Sequence, residues 1–279
     1  MTGRKSPAGD RSIILCPLTD WAGRHILGEI MDAETSPESP ASQNSESIEA
    51  FFDVLRRRRS IRTGFLKDKP VPDELIQKIL EAGRWAPSAG NSQPWEFIVI
   101  RAPETREQIV EIFKTQMRDK IEIEEVARGQ RRRVNAGVDF RHAPVHVLVL
   151  GDPRTNDAYP MRTKLDKWEA HYFSSLANCV LQMLLAAEVL GLGSMYISDV
   201  ASPYFSVMLR HLLGIPDPLQ IYHLLPVGFV KPSPTIHHPR RPLEEMLHHE
   251  HYDRSKFRGE AQLDEFMRTM SIRGADYRF

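Results

Sequence analysis

The chain has 279 residues, enough for one large domain or two small ones, and its 41% hydrophobic and 27% charged content is typical of a soluble globular protein. Its 37 basic residues balance 37 acidic ones, which removes the global electrostatic argument for nucleic acid or an anionic membrane as a partner. Two cysteines, Cys16 and Cys179, are too few for a disulfide framework, and the early apolar run is too short for a signal peptide or membrane span, so the cytoplasm is predicted.

The N-terminal region differs in composition from the rest of the chain. Residues 34–45 are polar, rich in proline and serine, and without an aromatic anchor, so they cannot bury enough surface to offset the entropy of ordering. We therefore predict a mobile extension over residues 1–47, a folded domain over residues 48–249, and a C-terminal extension over residues 250–279 that contains several aromatic residues.

Helical and strand patterns alternate from residue 48 onward. Apolar spacing and turn residues predict helices near 48–55, 72–83, 104–127, 167–190 and 203–213, and strands near 95–100, 145–150, 194–197 and 221–230. This interleaving indicates an α+β or α/β fold rather than a bundle or a sandwich. Residues 173–190 are apolar around most of the helix, so that helix is expected to be buried on more than one side, either against a partner subunit or in the centre of a monomer.

A basic motif follows the first predicted helix. Arg58, Ser60 and Arg62 are alternate residues, so in an extended chain they point to one side. Two guanidinium groups and a hydroxyl suit a phosphate and a polyol, because arginine binds phosphate with paired donors. Taken alone, the four arginines at 56–59 are more typical of a solvated basic face, with a nucleic-acid patch as a further reading.

A second motif is the loop over residues 86–95. Pro87 and Pro94 fix its ends, and small residues between them would let a flat ligand approach the backbone. By composition alone, an ordinary helix-to-strand connector is the simpler interpretation.

As strings, these two motifs resemble the nitroreductase family. Three later landmarks follow in the family's order, at residues 191–194, at residues 213–216 followed by 225–229, and at residues 240–246. The resemblance spans roughly residues 50–247 and leaves both termini uncovered. It implies an α+β fold with a central, mostly antiparallel sheet flanked by helices, in a domain-entwined homodimer that binds FMN at its interface. The C-terminal extension would then pack on the partner subunit.

The resemblance also implies which residues bind FMN. Those expected at the phosphate, the ribityl chain and the ring edge are Arg58, Arg59, Ser60, Arg62, Arg240 and Arg241. Those expected to approach the ring from the other subunit are Pro87, Ser88, Ala89, Gly90 and Asn91. Those expected along the ring's other face, with one backbone N–H toward the flavin N5, are Tyr196, Ile197 and Ser198.

The implied reaction is a ping-pong transfer from NADH or NADPH to a nitroaromatic, quinone or similar flat acceptor, with the flavin carrying the chemistry and no catalytic side chain required. The implied partners are a small-molecule substrate and a second copy of the chain, without nucleic acid or membrane. Reductive dehalogenation or other specialised flavin chemistry on the same fold is one alternative, and a non-catalytic flavin-binding regulatory protein is another. No metal site is predicted, because the adjacent histidines at 237–238 and 248–251 point apart.

Three segments depart from the family's pattern or align poorly. Gly64 stands before Phe65 where many members have no extra residue, which predicts a bulge or wider turn. Residues 128–139, which include the arginines at 131–133, have no clear counterpart in the family's pattern. Residues 151–167 correspond to a lid in several branches, with Tyr159, Met161 and the nearby Trp168 as candidates for the substrate pocket.

Overall fold

The computed structural model describes residues 44–128, 138–232 and 240–269. Within these residues the helices are α1 (Asn44–Arg57), α2 (Asp73–Arg84), α3 (Pro103–Arg128), α4 (Met161–Val189), α5 (Pro203–Leu213) and α6 (Glu260–Thr269). The strands are β1 (Trp95–Ile100), β2 (Val145–Gly151), β3 (Gly193–Ser194) and β4 (Gln220–Gly228). The predicted extension over residues 1–47 lies outside the described residues except for 44–47, which belong to α1, and most of the unaligned segment 128–139 lies outside them as well.

The four strands form one antiparallel sheet in the order β1-β2-β4-β3, which confirms the α+β fold with an antiparallel sheet. The central strand β2 is buried at every position, as its continuous apolar sequence requires of a strand covered on both faces. Its register with β4 shifts between Val149 and Leu150, which marks a β-bulge on the β4 side.

Two hydrophobic cores flank the sheet because successive side chains of β2 point to opposite faces. Val145, Val147 and Val149 meet α2 and α4 on one face. Leu148 and Leu150 meet α3 and α5 on the other. Helices α2 and α4 therefore cover one face of the sheet, and α3 and α5 cover the other.

The long helix α4 is a core helix that begins earlier than predicted. It starts at Met161 and bends at Lys167, where φ is −159° and ψ is 29°. The early turns were missed because residues 161–166 lack an apolar period, so the predicted lid segment includes part of a helix. Within the described residues α4 is long and apolar enough to cross a membrane by length and composition. Here Tyr172, Leu176 and Met183 are instead buried against the sheet.

Gly151, the last residue of β2, can lie against α4 only because glycine has no side chain. A Cβ added to Gly151 would lie 2.1 Å from the hydroxyl oxygen of Tyr172 and 2.7 Å from a methyl carbon of Leu176. Real side chains do not approach so closely, so the strand can lie against the helix at this point only without a side chain.

The predicted third strand is shorter than expected. β3 contains only Gly193 and Ser194, and the chain then leaves the sheet before Ile197 returns through a single bridge to Leu224. The apolar and polar alternation over residues 194–197 could not distinguish a continuous strand from this interrupted one.

Candidate functional site

The first basic motif lies along the edge of the sheet. After α1 ends, Ser60 forms a parallel bridge with Ser194, and the Ile61 N–H donates to the Ser194 carbonyl at 2.8 Å. This close approach depends on Gly193, where a Cβ would lie 3.1 Å from the side chain of Ile61. The structure therefore brings the motif at 58–62 against the landmark at 191–194. Arg58, Arg59, Ser60 and Arg62 are all partly buried there.

Arg58 meets Arg240, which is 182 residues later in the sequence (240 − 58). The pKa of the Arg58 guanidinium is lowered, first by burial and then by the positive charge of Arg240, while the carboxylate of Glu188 opposes the shift. Arg58 is partly buried and Arg240 is exposed, so an anion that binds near both would offset the desolvation of the first and the repulsion between the two. This arrangement has the charge and the donor chemistry of a phosphate site.

The other arginines of the two motifs are oriented differently. Arg57 pairs with Asp53 at 2.8 Å and lies 4.0 Å from Glu188. Arg241 lies 3.4 Å from a carboxylate oxygen of Glu245 and also donates to that residue's backbone carbonyl at 3.3 Å. Arg241 is thus in the same segment as Arg240 but is directed to its own helical turn.

The loop after α2 is held on the middle of α4. The Ala89 N–H donates to the hydroxyl of Ser175 at 3.2 Å, and the side-chain amide of Asn178 donates to the Pro87 carbonyl at 3.2 Å. A 3-10 turn over Ala89–Asn91 puts Gly90 at φ 58° and Asn91 at φ 51°, conformations that favour glycine and asparagine. Pro87, Gly90 and Asn91 are exposed, while Ser88 and Ala89 are partly buried.

Within one chain, this loop and the motif at 58–62 are associated with different parts of α4. The loop is held at Ser175 and Asn178, whereas the charge of Glu188 acts on Arg58, and these positions are 10 to 13 residues apart (188 − 178 and 188 − 175). At 1.5 Å per residue, that separation is about 15 to 20 Å along the helix axis.

The third group of predicted residues, Tyr196, Ile197 and Ser198, lies beside the motif at 58–62, but its members differ in exposure. Tyr196 and Ser198 are exposed, two and four residues after the serine that pairs with Ser60. Ile197 is 2% exposed, its N–H donates to the Leu224 carbonyl at 3.0 Å, and its own carbonyl accepts from the Leu224 N–H at 3.1 Å. The structure therefore places Ile197 in the core, so a backbone N–H directed at a ligand would have to come from Tyr196 or Ser198.

Several residues of this region carried no signal in the sequence. His223 is 6% exposed, its ring centroid lies 3.9 Å from that of Tyr196 and 4.1 Å from that of Tyr222, and neither ring nitrogen has a partner among the described residues. Burial lowers the pKa of His223 to about 4, so the ring is neutral at physiological pH. Glu188, Ser175 and Asn178 were also missed, because only the fold shows which residues of α4 face the motifs.

The candidate pocket residue Tyr159 has a supporting position instead. It is 5% exposed, and its hydroxyl lies 3.4 Å from that of Ser92. A Cβ added to Gly90 would lie 3.5 Å from its ring. Tyr159 thus packs against the loop at 87–91, whereas Met161 is 69% exposed. The arginines at 131–133 lie outside the described residues.

Comparison with known proteins identifies the family to which the sequence is similar. Residues 55–229 match the model of the nitroreductase family. An *Archaeoglobus fulgidus* protein, named provisionally as an NADH dehydrogenase/NAD(P)H nitroreductase, is 31% identical over 66% of this chain and 87% of its own length. The iodotyrosine deiodinase of *Nematostella vectensis* is 27% identical over 80% of this chain and 82% of its own length.

Solved structures share the fold. A *Desulfovibrio desulfuricans* protein, described provisionally as a nitroreductase and solved in complex with FMN, is 28% identical, with a TM-score of 0.51 over 73% of this chain and 98% of its own. Nitroreductase A of *Vibrio parahaemolyticus* is 19% identical, with a TM-score of 0.57 over 79% of this chain and 83% of its own. The second likeness concerns the fold alone.

Proposed function

This chain belongs to the nitroreductase family, and on that premise we propose that it is an FMN-dependent oxidoreductase passing electron pairs from NADH or NADPH to a flat acceptor such as a nitroaromatic or a quinone. The observation that carries the proposal is the partly buried Arg58, whose charge is destabilised by the positive charge of Arg240, an exposed arginine far along the sequence. The FMN-bound relative supports the identity of the anion.

The residues of the site fit FMN in their chemistry. Arg58 and Arg240 would hold the phosphate, Ser60 would offer its hydroxyl to the ribityl chain, and Arg62 would place a positive charge at the ring edge. When bound, FMN supplies reversible two-electron chemistry, accepting a hydride from a nicotinamide and releasing electrons to the acceptor. Tyr196 and Ser198, exposed beside the motif, would orient flat molecules and offer a backbone N–H.

The site is proposed to be completed by a second copy of the chain. The loop at 87–91 is held on α4 at Ser175 and Asn178, about 15 to 20 Å along the helix from Glu188, whose charge acts on Arg58. We propose that the loop that approaches the flavin ring is the one from the partner subunit, as the family resemblance implies. Large exposed apolar side chains on the outer faces of α1 and α4 support such a contact, namely Ile48, Phe51, Phe52, Leu55, Phe173 and Leu181. Sedimentation at micromolar concentration should give twice the monomer mass, and a monomeric species with full activity would contradict this proposal.

The experiment that tests the function is anaerobic reduction of the purified protein. After incubation with FMN and desalting, the protein should retain flavin absorbance, lose it on addition of NADH or NADPH, and regain it on addition of a nitroarene or quinone. A protein that binds no FMN would contradict the flavin assignment. A protein that binds FMN but is not reduced by either nucleotide would instead support a regulatory flavin-binding role.

Reductive dehalogenation is the second candidate function. The observation that favours it is the match to the *Nematostella* deiodinase, which covers 80% of this chain compared with 66% for the *Archaeoglobus* relative. With the reduced protein, turnover of an iodophenol with release of iodide, and no turnover of nitroarenes, would select this function. The opposite pattern would exclude it.

We also propose a cytoplasmic location and small molecules as the substrates, without nucleic acid or membrane partners. The balanced charge of the chain and its two cysteines support this reading. Cell fractionation should recover the protein with soluble cytoplasmic markers, and recovery with membranes or with chromatin would contradict it.

A further inference from the structure

A cleft of about 610 Å³ lies outside the flavin-motif residues. Phe65 and Leu66 supply its apolar wall, and Lys67, Lys69, Lys231 and His142 supply basic groups around it. Asp68 is the only acidic side chain that lines it in the described part of the chain. None of these residues belongs to the groups assigned above to FMN, so an inference about this cleft is independent of the proposed function.

The cleft is built on a fixed backbone. The Leu66 N–H donates to the Phe229 carbonyl at 2.8 Å, and the Lys231 N–H donates to the Gly64 carbonyl at 2.9 Å. Gly64, at φ 86°, makes the turn that brings residues 65–69 beside the end of β4. The three lysines therefore lie on two paired segments.

Among the described residues, the lining of the cleft carries more basic than acidic side chains. Its three ammonium groups and one carboxylate give an excess of two positive charges. Other lysines of the described residues have acidic partners, such as Lys114 with Glu111 and Lys120 with Asp199. Among the residues that the structure describes, Lys67, Lys69 and Lys231 have no carboxylate within ion-pair distance, and Lys69 lies 3.9 Å over the ring centre of Phe229.

We propose that this cleft binds a phosphorylated small molecule with a planar apolar body, of which a nucleoside diphosphate is the simplest form. Lysine binds phosphate as a compact point charge, and several lysines around one opening favour a multiply charged anion. Leu66 and the methylene chains of the lysines provide the exposed apolar surface for a planar group, whereas Phe65, at 5% exposure, belongs to the core. The volume is in the range of sites that bind small organic ligands.

The test is calorimetric titration of ADP into the full chain saturated with FMN, so that the flavin phosphate site is filled. ADP should bind with one site per chain, and its affinity should fall as the salt concentration rises. The double variant Lys67→Gln, Lys231→Gln should bind ADP about tenfold more weakly or worse, since each exposed charge contributes a factor of up to about five. Lys78→Gln, an exposed lysine on α2, is the matched control and should bind as the unmodified chain does.

Three ligands and two readouts make the outcome decisive. Adenosine should bind at least tenfold more weakly than ADP, and inorganic phosphate should also bind more weakly because it lacks the planar group. Equal binding of adenosine would overturn the role of charge, and equal binding of phosphate would overturn the planar class. ADP binding that is absent, or insensitive to the double variant, would overturn the site itself. Retained FMN content and circular dichroism of each variant exclude unfolding as the cause.

Discussion

Replacing Arg58 by glutamine separates ligand binding from stability. Arg58 is partly buried beside Arg240, and both burial and that neighbouring charge lower its pKa. A hydrogen bond to a charged group contributes about 1.5–3 kcal/mol, so losing one of the phosphate donors should weaken FMN binding by a factor of about 10 to 150. Because the charged side chain is unfavourably placed without an anion, the flavin-free variant should keep at least the unfolding free energy of the unmodified chain.

The assay is a fluorescence titration of FMN into flavin-free protein, paired with chemical denaturation of the same samples. Arg56→Gln is the matched control, since Arg56 lies two residues earlier in the last turn of α1, is 63% exposed and is 3.8 Å from Glu49. The control should change FMN affinity by less than about twofold. Equal FMN affinity in Arg58→Gln and Arg56→Gln would refute the reasoning. A large loss of stability in flavin-free Arg58→Gln would show that Arg58 is structural instead.

Three further predictions concern stability and reactivity. Gly151→Ala should lower the unfolding free energy by about 1–3 kcal/mol, because its Cβ would lie 2.1 Å from the Tyr172 hydroxyl oxygen; thermal and chemical denaturation measure this. Burial raises the pKa of Cys179 to about 12, so in a Cys16→Ser background the folded protein should resist thiol reagents at pH 8 and react on unfolding. Burial lowers the pKa of His223 to about 4, so between pH 6.5 and 4 this histidine is protonated in the unfolded chain but largely neutral in the folded protein. The free energy of unfolding should therefore fall by up to about 3 kcal/mol as the pH is lowered from 6.5 to 4.

Each of these predictions has a control. Gly259→Ala adds a Cβ with nothing within 4 Å and should leave stability unchanged, so an equal loss in both glycine variants would contradict the steric argument. Rapid labelling of Cys179 in folded protein would contradict its burial. His223→Phe should flatten the stability profile over pH 6.5 to 4, leaving the part due to His146, whose pKa is also lowered to about 4 by burial. An unchanged profile in that variant would exclude His223 as the cause.

The fold was largely predictable because its elements carry strong local patterns. β2 is apolar except for His146 and α2 has a clear helical period, so both were placed within two residues of their bounds. The first turns of α4 were not found, because solvent-exposed helical residues such as Met161 and Leu165 give no amphipathic signal. The shortness of β3 was also missed, since it depends on the bridge that Ile197 makes to Leu224 rather than on local sequence.

The sequence predicted which motifs belong to the candidate site but not how their residues are arranged in space. The alternation of Arg58, Ser60 and Arg62 indicated a phosphate and polyol site, whereas Arg240 entered only through the family resemblance. The electrostatic interaction between Arg58 and Arg240 is a product of the tertiary fold. Ile197 was assigned to the flavin from its position in a landmark, while the sheet commits its backbone and side chain to the core. Glu188 and His223 could not be found from sequence, because neither belongs to a recurring string and each acquires its environment from residues far along the chain.

The most direct test of the central claim is an anaerobic titration of the FMN-loaded protein with NADH and NADPH, followed by addition of an acceptor. The account predicts stoichiometric FMN per subunit, loss of the oxidised flavin absorbance with at least one nucleotide, and its return with a nitroarene, quinone or iodophenol. A protein that remains colourless after incubation with FMN, or whose bound flavin is reduced by neither nucleotide, would contradict it.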